Sequence, residues 1–311
     1  MSQRILITPR SLTQGRSPEL QPLEDAGYEL VYARPGRTPT ENELLELVPG
    51  CRGWLAGVEP VSERVLQAAT GLKAISRNGT GVDNIPLEAA HRLGIKVLRA
   101  EAANARGVAE LAICLALASL RHLPALHLDL KRGQWQLIRG REVQDRPFGL
   151  IGCGAIGRIV AQLALGLGAR VVAFDPFPDP SFRPGANFTW GSFDEILAGV
   201  DLLSLHCPPA PGGRPVMDRE TLGRIKDGCC LINTARGSLV DDDAIIDALN
   251  AGKLSTYATD VFQREPPDPA SPLLRHDRVL ASPHVGAFTE ESVRRATQKA
   301  VENLLGALLR P

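Results

Sequence analysis

A chain of 311 residues with an apolar fraction of 44% is long enough for two domains and apolar enough to bury a substantial core. Its 35 Lys and Arg balance its 35 Asp and Glu, which argues against a general binder of nucleic acid or other polyanions. Six scattered cysteines with no C-x-x-C pair argue against a disulfide framework or structural zinc, and the apolar runs are too short for a signal peptide or a bilayer span.

These bounds imply a cytoplasmic protein with no membrane partner and no bound metal. Along the chain, apolar runs at residues 5–7, 29–32, 53–56, 72–76 and 96–98 predict strands. Amphipathic stretches at 18–26, 41–48, 62–69 and 87–93 predict helices between them. Strands separated by helices imply parallel pairing. Residues 104–120 are apolar almost all round, which predicts a helix buried on several sides, linking two domains or packing across a subunit interface. Residues 121–147, richer in His, Lys, Arg and holding Trp135, read as an arm. A second series follows, with strands at 148–151, 170–174, 202–205, 229–232, 255–258 and 279–281. Helices are expected at 155–167, 194–198, 219–224 and 241–250, and a last amphipathic helix at 290–309. The expectation is an α/β fold with two doubly wound parallel sheets.

The strand at 148–151 runs into Gly152, Gly154 and Gly157, which fit G-x-G-x-x-G. The first glycine permits a tight turn, the second a close approach of backbone to pyrophosphate, the third close packing of helix on strand. The next strand ends in Asp175, 18 residues beyond Gly157. A carboxylate there accepts hydrogen bonds from the adenosine ribose and repels a 2′-phosphate, which points to NAD over NADP.

Three residues then point to chemistry. Arg236 and His284 each follow a predicted strand, at the edge where doubly wound sheets bind ligands. A guanidinium there can fork onto a carboxylate. An imidazole there suits proton exchange, and Glu265 is a candidate partner to orient it. Taken alone, each reads equally well as an ordinary surface or structural residue. Of the other five histidines only His206 also ends a strand.

The segments 76–86 (SRNGTGVDNIP), 149–157 (GLIGCGAIG), 231–241 (LINTARGSLVD), 260–266 (DVFQREP) and 282–287 (SPHVGA) resemble those of the D-isomer-specific 2-hydroxyacid dehydrogenase family, and within it the phosphoglycerate dehydrogenase branch. The resemblance implies a Rossmann NAD-binding domain over 100–284, including the interdomain and dimerisation helix. It would be inserted into a flavodoxin-like substrate domain over 1–99 plus 285–311. Two copies would form a homodimer. Arg236 would hold the carboxylate of a small 2-hydroxy or 2-keto acid, His284 would exchange the proton, and Glu265 would support the charged imidazole. Substrate contacts would include Arg77, Asn78, Gly79, Arg236 and His284. Cofactor contacts would be Gly152, Gly154, Ala155, Ile156, Gly157, Asp175, His206, Thr234 and Asp260, the last at the nicotinamide amide.

Two departures bear on the substrate. Animal-type phosphoglycerate dehydrogenases carry a phosphate-side arginine where Ala56 stands, whereas Arg77 matches a second one. Candidates are therefore 3-phosphoglycerate, glycerate or hydroxypyruvate, or a related small acid. No regulatory domain follows the last helix, so feedback through one is not expected. An alternative on the same fold is an NAD(H)-sensing binding protein of corepressor type. Formate dehydrogenases carry Gln where Glu265 stands, which argues against that activity.

Overall fold

Alternating burial builds the first sheet. In the strand Gln3–Ile7 (β1), Ile5 and Ile7 enter one core cluster and Leu6 the other, so both faces are covered. The computed structural model describes residues 3–15, 17–210 and 212–309; Met1, Ser2, Arg310 and Pro311, the ends of the expected substrate domain, lie outside the described residues. The chain divides into two units, Met1–Asn104 with Phe288–Pro311, and Ala105–Ala287.

The first unit carries β1, β2 (Tyr28–Tyr32), β3 (Cys51–Ala56), β4 (Ala74–Arg77) and β5 (Lys96–Arg99), all parallel, in the order β2-β1-β3-β4-β5. Between them run α1 (Gln21–Asp25), α2 (Glu41–Leu47), α3 (Glu63–Ala68) and α4 (Leu87–Arg92). Thr40 and Glu43 close a capping box that starts α2. The expected helix at 18–26 forms in two pieces, a 3-10 turn at Pro18–Leu20 and then α1.

The second unit starts with α5 (Ala105–Leu120), whose buried residues join the core of the second sheet. The chain turns at His122, in the left-handed region, into α6 (Leu123–Lys131). The sequence read this stretch only as an arm; the structure gives it a helix. Then come β6 (Pro147–Ile151), α7 (Ala155–Gly166), β7 (Arg170–Phe174), β8 (Phe188–Trp190), α8 (Phe193–Gly199), β9 (Leu202–Leu205), α9 (Arg219–Arg224), β10 (Cys229–Asn233), α10 (Asp242–Asn250), β11 (Leu254–Thr259), α11 (Pro272–Arg275) and β12 (Val279–Ala281). The seven strands are parallel in the order β12-β11-β10-β9-β6-β7-β8. The edge strand β8, three residues long, is not apparent in the sequence pattern.

The final helix α12 (Glu290–Leu309) belongs to the first unit. It lays Ala296, Ala300, Val301, Leu304 and Leu308 against the sheet. Gly53 of β3 makes room for it: a side chain there would meet Leu308 at 3.0 Å and Leu304 at 3.3 Å.

Candidate active site

In the second sheet the winding reverses between β6 and β9, where Ile151 and Leu205 lie side by side. Ligands bind outside the strand ends at such a switch point. Gly152 leaves β6 at φ +91, and a Cβ there would stand 2.6 Å from Cys207 N. A Cβ on Gly157 would collide with the Gly152 carbonyl, whereas one on Gly154 would meet nothing within 4 Å. Gly154 is thus the exposed corner of the turn. It is the N-cap of α7 and offers no side-chain cap, so the first N–H groups of Ala155, Ile156 and Gly157 have no side-chain acceptor. That is the arrangement an anionic pyrophosphate occupies.

Polar groups flank the turn. Asp175 accepts from Cys153 N at one oxygen (2.8 Å) and from Phe177 N at the other (2.9 Å). His206, just past β9, shares a 2.9 Å hydrogen bond between Nε2 and Ser204 Oγ. Its Nδ1 is enclosed without a partner, and so is Thr234 Oγ1 just past β10. Removal of the His206 ring from water pushes its pKa down to about 3, so it stays neutral and is no proton carrier near neutrality. Two unpartnered buried polar atoms, a glycine cradle and an open helix N-terminus fit the polar groups of NAD.

Further along the same edge, β10 to β12 bring the predicted trio into one unit. Asn233 holds the loop after β10: its Oδ1 accepts from Ala235 N (3.1 Å) and its Nδ2 donates to Arg236 O (2.9 Å). Arg236 is half-buried and donates from Nη1 to Ala235 O (2.8 Å). Gly237 packs directly on the Phe262–Gln263 peptide, where any side chain would collide, so the loop of Arg236 abuts that of Glu265. Glu265 accepts from Phe262 N at Oε1 (3.0 Å) and pairs through Oε2 with His284 Nδ1 (2.6 Å). Both side chains remain partly open, 49% exposed for His284 and 37% for Glu265.

His284 itself sits at φ +54, a conformation non-glycine residues seldom adopt. Asp260 holds it there. Its carboxylate, 1% exposed, accepts from Ser282 Oγ (2.6 Å), Val285 N (2.9 Å) and Gly286 N (2.7 Å), on both sides of the histidine. Asp260, expected at the nicotinamide amide, has its carboxylate hydrogen-bonded to the loop of His284. Asn233 was missed as a loop organiser, and only its place at a strand end marked it.

Arg77, Asn78 and Gly79 lie in the first unit, at the end of β4. Arg77 donates from Nη1 to Asn78 O (2.5 Å). The N–H of Asn78 donates to Ala56 O and that of Gly79 to Arg77 O, both at 2.8 Å. Ala56 is fully buried. Among the described residues no group of three or more His, Cys, Asp or Glu side chains gathers to hold a metal ion, and no single helix is long and apolar enough to cross a membrane.

The sequence pattern of the D-isomer specific 2-hydroxyacid dehydrogenase NAD binding domain matches residues 113–286. A hydroxypyruvate reductase of Thermotoga maritima is 36% identical over 273 residues, covering 86% of this chain and 88% of the relative. A D-3-phosphoglycerate dehydrogenase of Mycobacterium bovis is also 36% identical over 273 residues; that match covers 87% of this chain but spans 52%, about half, of the relative. A solved structure of a protein from Thermus thermophilus superposes with a TM-score of 0.88 at 34% identity, covering 98% of this chain and 97% of that one.

Proposed function

The chain belongs to the D-isomer specific 2-hydroxyacid dehydrogenase family of NAD-dependent oxidoreductases, and we propose that within it the reaction is reduction of a small, unphosphorylated 2-keto acid such as hydroxypyruvate or glyoxylate. The observation that carries the chemistry is the 2.6 Å pair of His284 Nδ1 and Glu265 Oε2 at the strand edge that also bears Arg236.

Bound NADH supplies the hydride that reaches C2. As negative charge gathers on the C2 oxygen, His284 delivers a proton to it from Nε2, the nitrogen that Glu265 leaves available. Glu265 fixes the ring through Nδ1 and stabilises the imidazolium. In the reverse direction the same nitrogen takes the hydroxyl proton. Arg236 receives the substrate carboxylate in paired, charge-assisted hydrogen bonds and stabilises the developing alkoxide. Asp260 acts one step back, by holding the His284 loop. Asp175 accepts from the adenosine ribose hydroxyls and favours NAD over NADP. The turn Gly152–Gly157 takes the pyrophosphate, while His206 and Thr234 offer the cofactor their unpartnered atoms.

Two observations favour an unphosphorylated acid. The position of one phosphate anchor holds the buried, uncharged Ala56. The other anchor, Arg77, turns its guanidinium onto Asn78 O. The test follows NADH oxidation at 340 nm with hydroxypyruvate, glyoxylate, pyruvate and 3-phosphohydroxypyruvate. Preference for an unphosphorylated acid is expected; preference for the phosphorylated one overturns the substrate assignment. NADH binding without turnover of any acid favours the sensing alternative.

We also assign the protein to the cytoplasm, in keeping with its six free thiols, and to a homodimer through the arm after α5. There Trp135 and Leu137 stand 81% and 86% exposed, and Leu123, Leu128 and Leu130 of α6 are exposed as well. Sedimentation at micromolar concentration that gives the mass of one chain refutes the dimer.

A further inference from the structure

The cofactor end of the second unit holds an arginine that the proposed reaction does not use. Arg158, in the first turns of α7, points back across the glycine turn. Its Nε donates to Cys153 O (3.3 Å), its Nη2 pairs with Asp179 Oδ2 (3.0 Å), and its guanidinium carbon lies 5.1 Å from the Phe182 ring centre. The N–H of the same Cys153 donates to Asp175 Oδ2 at 2.8 Å. One residue therefore connects the two groups, its N–H on the ribose acid and its carbonyl on the arginine. Asp175 and Asp179 frame a single loop after β7, and Arg158 meets that loop at Asp179 and Phe182.

A 2′-phosphate on a ribose held at Asp175 arrives beside this loop. It meets one carboxylate in Asp175 and a second in Asp179. Ser181 first, through its hydroxyl and its N–H, and then Arg158 hold the Asp179 carboxyl below its usual range, so it remains charged. The ion pair is open to solvent, with Arg158 40% and Asp179 36% exposed. Such a pair is weak, and a phosphate dianion competes for the guanidinium once the carboxylate is removed. The other cation of the loop, Arg183, folds its Nε onto Pro180 O (3.2 Å).

We propose that Arg158 is a latent 2′-phosphate anchor masked by Asp179, so that Asp175 and Asp179 together set the choice of NAD over NADP. This rests on the reading that Asp175 receives the adenosine ribose. Its sequence signal was faint, since an arginine after G-x-G-x-x-G reads as an ordinary helix residue.

The test uses the full chain and two probes of the adenosine half alone, 5′-AMP and adenosine 2′,5′-bisphosphate, with dissociation constants measured by calorimetry. Wild type is expected to favour 5′-AMP, and Asp175→Ser to narrow that preference. Adding Asp179→Asn should strengthen bisphosphate binding by at least about tenfold and leave 5′-AMP nearly unchanged. Adding Arg158→Gln should erase the gain. A bisphosphate affinity indifferent to Asp179→Asn, or a gain that survives Arg158→Gln, overturns the proposal while leaving the ribose reading intact. A probe ratio unmoved by Asp175→Ser overturns the ribose reading and the proposal with it. If Asp175→Ser does not fold, Asp179→Asn alone, compared with Asp179→Asn/Arg158→Gln, puts the same question; a gain of about threefold that depends on Arg158 is expected, and none overturns it.

Discussion

Both sheets reverse their winding beside their first strand, and the two switch points are filled in opposite ways. Between β6 and β9 the chain places a glycine turn, an uncapped helix start and the enclosed, unpartnered Nδ1 of His206, with the unpartnered Thr234 Oγ1 one strand further on, past β10. Between β1 and β3 it places its own side chains. Thr8 donates to Leu55 O and to Glu59 and accepts from Trp54 Nε1 (2.9 Å), while Glu59 accepts from Gly57 N (2.9 Å). Thr8 and Glu59 are each 1% exposed and Trp54 is fully buried. Topology supplies a crevice at the strand ends in both cases. Side chains decide whether the crevice is left for a ligand or closed by the protein's own hydrogen bonds.

The sharpest contrast is chemical. His284→Gln removes the proposed proton donor at the open edge and should lower kcat/KM by about 10²–10⁴-fold with NADH affinity retained. Stopped-flow turnover alongside NADH fluorescence titration reads both; near-normal turnover would mean that the proton comes from elsewhere. Next in size is a forced closure of the open switch point. Gly152→Ala puts a side chain 2.6 Å from Cys207 N at φ +91 and should weaken NADH binding by at least about tenfold. Unaltered binding would break the comparison, since the cradle would then not depend on its glycines.

The smallest effect probes the closed side. Burial raises the Glu59 carboxyl above its usual range, against the hydrogen bonds from Thr8 and Gly57. The folded chain then keeps a proton that the unfolded chain releases near pH ~4.3. Wild-type stability should therefore fall as pH rises from that value through the raised folded-state value. Glu59→Gln removes this slope, so its stability relative to wild type should climb with pH across the window, from a starting loss of about 1–3 kcal/mol. Denaturant unfolding at several pH values checks it; parallel curves for the two proteins would count against a protonated Glu59.

The open site was more legible in the sequence than the closed one. Glycines at 152, 154 and 157 and an acid at the next strand end have fixed backbone reasons, and strand periodicity placed Arg236 and His284 at the right edge. Hydrogen bonds between distant segments leave no such pattern. Nothing local shows that Asp260 is buried against residues 22 to 26 positions later, or that Glu59 reaches back to Thr8. The positive φ of His284 is likewise a product of the loop that Asp260 gathers. The edge strand β8 was missed because three residues carry too little alternation, and α6 because its face is exposed rather than apolar on one side.

The return of α12 to the first unit also sets an order of events during synthesis. Residues 105–287 hold every strand of the second sheet and emerge from the ribosome as an uninterrupted block, able to fold in sequence. The first 104 residues must wait. One face of their sheet, packed there by Leu12, Leu20 and Leu23, stays incompletely covered until Leu304 and Leu308, made only after the whole second unit, close over Gly53. For that interval the nascent chain carries an exposed apolar patch on its first sheet, a point of vulnerability for truncated products.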